Sequence, residues 1–284
     1  IREIYLKVFE IIVKESKPAS LMCAYNKING EFCSHNKWLL TDVLRREWGF
    51  GGLVMTDWGA MHDRVASLRA GLDLEMPGDT AICRKWILDG LKDGTLAEES
   101  LNSAAENVLT AVDRFAKKIA DDADFEANDR LACEIAEDCA VLLKNDGVLP
   151  LAEGERIFVV GELFEKMRYQ GAGSSMINPT KITSPKAAFD AMRISYGYSR
   201  GYAENQTEPQ QAWIDEAVAA SAQYDTIAVF AGLTDYAESE GCDREHMRLP
   251  ENQLALIDAL CRTGRKIIVV LFGGSPVELP FAGK

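Results

Sequence analysis

The chain has 284 residues, 47% hydrophobic and 26% charged, which is the balance of a soluble globular protein with room for two domains. A formal net charge of −13 excludes the clustered Lys and Arg that nucleic-acid binding needs. The longest apolar run, Ile267 to Phe272, is strand-sized and far short of the ~18–20 residues of a membrane span, so neither nucleic acid nor membrane is an expected partner.

Along residues 1–118, helical and strand patterns alternate. Ile1, Tyr5, Val8 and Ile12 recur at helical spacing until Pro18. An apolar run over 19–25 then reads as a strand, bounded by Asn26 and an Asn29-Gly30 turn. Asn36 can cap a helix through Trp38, Leu39, Leu40, Val43 and Leu44, ending near Gly49. A second strand covers 52–57, a helix 64–70, a third strand 72–76 closed by Pro77-Gly78, and helices 82–92 and 97–118 follow. Strands that are apolar throughout and separated by helices indicate parallel β/α construction, here the last part of a barrel.

The acidic stretch 119–130 lacks an apolar stripe and reads as an interdomain linker. A second alternation fills 131–284, with a helix at 131–144, strands at 157–161, 194–198, 226–233 and 266–272, and helices at 185–193, 210–222 and 251–263. This pattern predicts a separate α/β layer with a mostly parallel sheet. The seven cysteines are odd in number and form no C-x-x-C pair, and the three histidines have no metal-ligand spacing. Neither a metal nor a cofactor is expected. Scattered cysteines read as buried free thiols of a reducing compartment, which tilts an otherwise open localisation towards the cytoplasm.

Chemistry is expected at the carboxyl ends of parallel strands. Asp57 closes one such strand and is followed by Trp58, whose flat indole suits the C–H face of a sugar. The alternative is that Asp57 merely caps the next helix. The loop after the strand at 226–233 holds Asp235, Glu238, Glu240, Asp243 and Arg244. Crowded like charges raise carboxyl pKa values, as a general acid requires, although a solvated acidic loop has the same composition. The run Gln170-Gly171-Ala172-Gly173-Ser174-Ser175 fails the dinucleotide pattern at Met176, so it reads as a loop that lets backbone approach a substrate.

Two segments carry a specific resemblance: Met22-Cys23-Ala24-Tyr25-Asn26 through Gly49-Phe50-Gly51-Gly52, and Val54-Met55-Thr56-Asp57-Trp58-Gly59-Ala60 with Ala70-Gly71-Leu72-Asp73-Leu74-Glu75-Met76-Pro77-Gly78. Both resemble glycoside hydrolase family 3. The likeness continues through 141–151, at Glu240-Gly241-Cys242-Asp243-Arg244 with Leu249-Pro250, and at 274–278. It implies the C-terminal part of a TIM-like barrel followed by an α/β sandwich domain, and a retaining β-glucosidase acting on small or oligomeric β-glucosides.

By the same resemblance Asp57 is the nucleophile and Glu240 the acid/base, with Glu238 the close alternative. Met22, Tyr25, Trp58, Ser174 and Glu238 are the implied substrate contacts. Trp58 favours the β-glucosidase branch, because β-xylosidase members usually carry a cysteine there. A β-N-acetylglucosaminidase relative and a non-catalytic carbohydrate-binding relative are the competing readings. The family's early barrel strands would precede Ile1, so this segment alone is expected to be weak or inert. Self-association into a homo-oligomer is left open.

Overall fold

A computed structural model describes residues 1–78, 80–116 and 123–283, which form two compact units, Ile1–Asp122 and Ala123–Lys284. Among the described residues, no helix is long and apolar enough to cross a membrane.

The first unit opens with α1 (Lys7–Ile11), which widens into a π-type turn over Ile12–Ser16 and stops at Lys17 in the left-handed region. β1 (Ser20–Cys23) follows, then a short hairpin of β2 (Lys27–Ile28) and β3 (Glu31–Phe32) across the expected Asn29-Gly30 turn. Asn36 Oδ1 accepts from the Leu39 N–H at 2.9 Å, and a wide π-type helix runs over Trp38–Glu47. Its Leu40, Val43 and Leu44 are buried with Cys23, Trp48, Phe50 and Val54 in the unit's main core.

β4 (Leu53–Thr56) pairs parallel with β1, from Ser20 opposite Leu53 to Cys23 opposite Thr56. Gly52 enters β4 so close to the Ala19 carbonyl that a Cβ there would overlap it. Then come α2 (Arg64–Ala70), α3 (Thr80–Asp93) and α4 (Glu98–Phe115).

The third predicted strand, 72–76, shrinks to a single parallel bridge between Met55 and Leu74. The reason is Asp73, whose side chain turns inward and takes over part of the ladder. Its Oδ2 accepts from the Val54 N–H at 2.8 Å and from Arg45 Nη2 at 2.7 Å. Its Oδ1 accepts from Asn107 Nδ2 at 2.9 Å, and its carbonyl accepts from Arg64 Nη2 at 2.9 Å. One buried carboxylate thus ties β4 to the π-type helix and α4, and the carbonyl of the same residue adds α2.

In the second unit, α5 (Phe125–Asp138) begins six residues before the predicted helix and ends before Val141. Asp124 sets that start, because its Oδ1 accepts from the Ala127 N–H at 2.9 Å. Residues 125–130 are therefore helical rather than linker, while 119–122 of that stretch lie outside the described residues. Asn145 organises a turn in the irregular stretch between α5 and the next strand, with its Oδ1 accepting from the amides of Gly147 and Leu149.

β5 (Ile157–Val160), α6 (Pro185–Ala191), β6 (Tyr196–Ser199), α7 (Gln211–Ser221), β7 (Thr226–Gly232), α8 (Glu251–Cys261) and β8 (Lys266–Phe272) complete the unit. The four strands form a fully parallel sheet in the order β6-β5-β7-β8. All of β5 and β7 is buried, which explains why both read as unbroken apolar runs.

The seven cysteines are free, but only Cys23, Cys33 and Cys83 are buried, so the expectation of buried thiols fails for the others. Burial, followed by the neighbouring Cys33, pushes the Cys23 thiol up to about 12 and leaves it protonated.

Removing one member of a buried charge pair strands the other, at a cost of about 3–5 kcal/mol. Asp73→Ala should therefore destabilise the first unit by that amount in urea unfolding. A loss below about 1 kcal/mol, the range of an exposed pair, would show that Asp73 does not hold the unit together.

Candidate active site

Asp57 follows β4 directly and continues its ladder, since its N–H donates to the Cys23 carbonyl at 3.1 Å. Its Oδ1 accepts from the Trp58 N–H at 2.7 Å, which fixes the carboxylate at the strand's carboxyl end. The helix cap that Asp57 might have been is Asp63, whose Oδ1 accepts from the Ala66 N–H at 2.9 Å at the start of α2.

Beneath Asp57, Thr56 is fully buried, and its Oγ1 accepts from the Met76 N–H at 2.8 Å. Above it, Gly59 N–H donates to the Met76 carbonyl and Tyr25 Oη donates to the Trp58 carbonyl at 2.8 Å. The loops after β1, β4 and Leu74 are thus joined around one carboxylate. Met22, Tyr25 and Trp58 are 53%, 52% and 53% exposed, too open for core residues and suited to contact a ligand.

In the second unit the order β6-β5-β7-β8 places a topological switch point between β5 and β7. Connections leave these two strands in opposite directions, opening a crevice at their carboxyl ends where such sheets bind ligands. The two loops singled out from the sequence are the ones that follow β5 and β7. They pair with each other: Ala172 forms a parallel bridge with Ser239, and the Glu240 N–H donates to the Ala172 carbonyl at 3.1 Å.

The Glu240 carboxylate lies against the Gly-rich loop, where Oε2 accepts from the Ser174 N–H at 2.7 Å. Gly173 makes this approach possible. At its φ of +102° an added Cβ would lie 2.5 Å from the Glu240 Cβ and 2.9 Å from Oε2. The glycines of this loop thus serve a carboxylate of the same unit.

Glu238 has a different environment from Glu240. Arg168 Nη1 and Ser275 Oγ both donate to it at very short range, and the Gly274 N–H donates to Oε1 at 3.1 Å and Oε2 at 3.0 Å. Burial works to raise its pKa, but the bonds from Ser275, Gly274 and Arg168 outweigh it and hold the carboxyl at about 2. The expectation that crowding raises carboxyl pKa values therefore fails at Glu238. Outside that loop, burial first and then the nearby charges of Asp235 and Glu162 push the Glu204 carboxyl upward.

Arg168 was not singled out from the sequence, yet it also donates to Asp235 Oδ1 at 3.1 Å and to the Leu233 carbonyl. Its place just before the Gly-rich loop was the available signal. Asp73, Arg45 and Ser275 were also missed as supports, because nothing in their spacing reports long-range pairing.

The family model described as the glycosyl hydrolase family 3 N terminal domain matches residues 1–111, and that of the family 3 C-terminal domain matches residues 140–284. Thermostable beta-glucosidase B of Acetivibrio thermocellus is 45% identical across 100% of this chain and 38% of its own length. An exo-alpha-(1->6)-L-arabinopyranosidase of Bifidobacterium longum is 39% identical over 98% of the chain and 38% of its length. The crystal structure of a GH3 beta-glucosidase from Bifidobacterium adolescentis superposes with a TM-score of 0.85 at 42% identity, covering 99% of this chain and 42% of that one. Beta-glucosidase 3B of Thermotoga neapolitana in complex with glucose gives 0.77 at 31% identity, covering 98% and 44%. The chain thus spans 38% of the length of these curated relatives.

A carboxyl held at about 2 against an ordinary 4.5 favours the folded state above the ordinary range, and that contribution is lost as pH falls towards the lower value. Unfolding followed between about pH 6 and pH 2 should show stability falling with pH, and Glu238→Gln should flatten part of that slope. An unchanged slope in the variant would show that Glu238 titrates alike in the folded and unfolded chain.

Proposed function

The chain belongs to glycosyl hydrolase family 3, and from that premise we propose that it carries the two catalytic carboxyl groups of a retaining β-glucosidase. In this reading residues 1–118 are the C-terminal part of a TIM-like barrel, and 131–284 belong to the α/β sandwich domain. The supporting observation is Asp57 itself: an ionisable side chain at the end of a buried parallel strand, not used as a helix cap, beside three half-exposed side chains that can pack on a sugar.

Asp57 is assigned as the nucleophile. Its Oδ1 is oriented by the Trp58 amide, and Oδ2 attacks the anomeric carbon to form a glycosyl-enzyme ester. Glu240 protonates the departing glycosidic oxygen, then takes a proton from the water that hydrolyses the ester. Two carboxyl groups suffice for this chemistry, so no metal or cofactor is invoked. Met22, Tyr25 and Trp58 are assigned to the sugar, and Ser174 to the loop facing it. Glu238, whose oxygens are already taken up by protein donors, is a poor acid, which favours Glu240.

The proposed glycone is a non-reducing terminal β-D-glucosyl residue. A pentopyranosyl glycone is the second reading, favoured by the relatives named arabinopyranosidases. Comparing hydrolysis of p-nitrophenyl β-D-glucopyranoside with that of p-nitrophenyl α-L-arabinopyranoside separates the two, the larger kcat/KM naming the glycone.

Asp57→Ala should reduce turnover to background, and proton NMR of the first-formed sugar should show retained anomeric configuration. Inverted product would rule out the covalent route. Glu240→Ala should depress hydrolysis of substrates with poor leaving groups by roughly 100-fold or more while largely sparing dinitrophenyl glycosides, which need little protonation. An equal loss on both would remove Glu240 from the acid role.

A further inference from the structure

We propose that Glu238 is a positioning residue for the acid/base step, the centre of an Arg168–Glu238–Ser275–Arg244 relay that fixes the loop from which Glu240 acts. The inference rests on the reading of Glu240 as the acid/base. What it adds is the reason that carboxyl is held where it is.

The relay joins three loops at the carboxyl edge of the sheet. Arg168 lies on the loop after β5 and reaches both Glu238 and Asp235. Ser275 lies after β8, donates to Glu238 Oε1, and accepts from Arg244 Nη1 at 2.8 Å. Arg244 also donates to the Pro276 carbonyl at 2.9 Å, so the acidic loop is fastened at both ends to the turn after β8.

Between these fastenings Ser239 is extended, and Glu240 is gripped through its N–H by Ala172 and through its carboxylate by Ser174. The side chains of Arg168 and Glu238 are 8% and 11% exposed, so the pair is shielded from the solvent that weakens surface ion pairs. An acid that must hold and release a proton at a fixed point gains from such a clamp, because a displacement of about 1 Å can cost 100-fold in rate.

The pair also sets charge. Arg168 is shared between Glu238 and Asp235 two residues from Glu240; Glu204 after β6 feels both Arg168 and Asp235, and Asp243 and Arg244 lie further along the loop itself. Removing either partner changes the local charge in a known direction.

Glu238→Gln removes one of the two carboxylates that face Arg168 and should move the basic limb of the kcat/KM profile down by roughly one pH unit. Arg168→Met takes the cation away from both Glu238 and Asp235 and should move that limb up by a similar amount. Both variants should also steepen the dependence of kcat/KM on leaving-group pKa, lowering it on the order of 100-fold for alkyl glucosides and only a few-fold for dinitrophenyl glucoside. A residue that merely stabilises the fold would give neither opposite shifts nor a steeper dependence.

Ser275→Ala deletes one neutral hydroxyl, the donor to Glu238 and the acceptor from Arg244, and serves if a charge variant fails to fold. It should steepen the leaving-group dependence by a smaller factor than the charge variants do. Glu240→Ala is the control. If it steepens the dependence while Glu238→Gln, Arg168→Met and Ser275→Ala do not, or if the two charge variants shift the limb the same way, the positioning role is overturned. If Glu240→Ala itself leaves the dependence unchanged, the acid assignment has failed and this inference falls with it.

Discussion

The bond from the Val54 N–H to the Asp73 carboxylate, 2.8 Å long and three residues short of Asp57, is the contact on which the placing of the first unit's candidate carboxylate depends. A parallel strand as short as β4 has few ladder bonds with which to hold its end in place. Here a side chain makes up the shortfall, and the oxygen that bonds Val54 also receives the Arg45 guanidinium. With Asn107 on the other oxygen and Arg64 on the carbonyl, Asp73 is satisfied on every side that matters for a buried charge. The end of β4, and so the backbone of Asp57, inherits that rigidity through the Thr56 and Met76 bonds above it.

In the second unit the sheet order does comparable work. Because β5 and β7 are neighbours whose connections diverge, the loops after them meet at one crevice, and the sequence has invested those two loops with glycines and carboxylates. The glycines let backbone close on a carboxylate, and the carboxylates divide into two kinds. Glu238 is saturated by donors and held ionised, whereas Glu240 takes the Ser174 amide from the facing loop. Two acidic residues separated by one serine thus meet different sets of donors, set by neighbours far away in the chain.

This bears on what a sequence can reveal. The four parallel strands of the second unit were legible because each is a buried apolar run between helical stretches, and Asp57 was legible because it breaks such a run at its end. The Asn29-Gly30 turn and the Asn36 cap were legible because their chemistry is local. The strand at 72–76 was over-read, since composition does not reveal that Asp73 turns inward to replace a carbonyl. The start of α5 was misplaced because an acidic stretch was taken for a linker when its Asp124 is a cap. The separate fates of Glu238 and Glu240 were illegible, because they depend on Arg168, Gly274 and Ser275, which no spacing rule connects to them.

The supports of the two candidate carboxyls draw on residue sets with no member in common. Asp57 depends on Asp73, Arg45, Arg64 and Asn107; Glu240 depends on Arg168, Glu238, Ser275 and Arg244. Substitutions with no shared partners combine additively, whereas those within one network do not. A substitution in the acidic loop therefore breaks none of the bonds that Asp73 makes beneath Asp57. Each candidate carboxyl can thus be probed through its own supports without breaking a bond that holds the other.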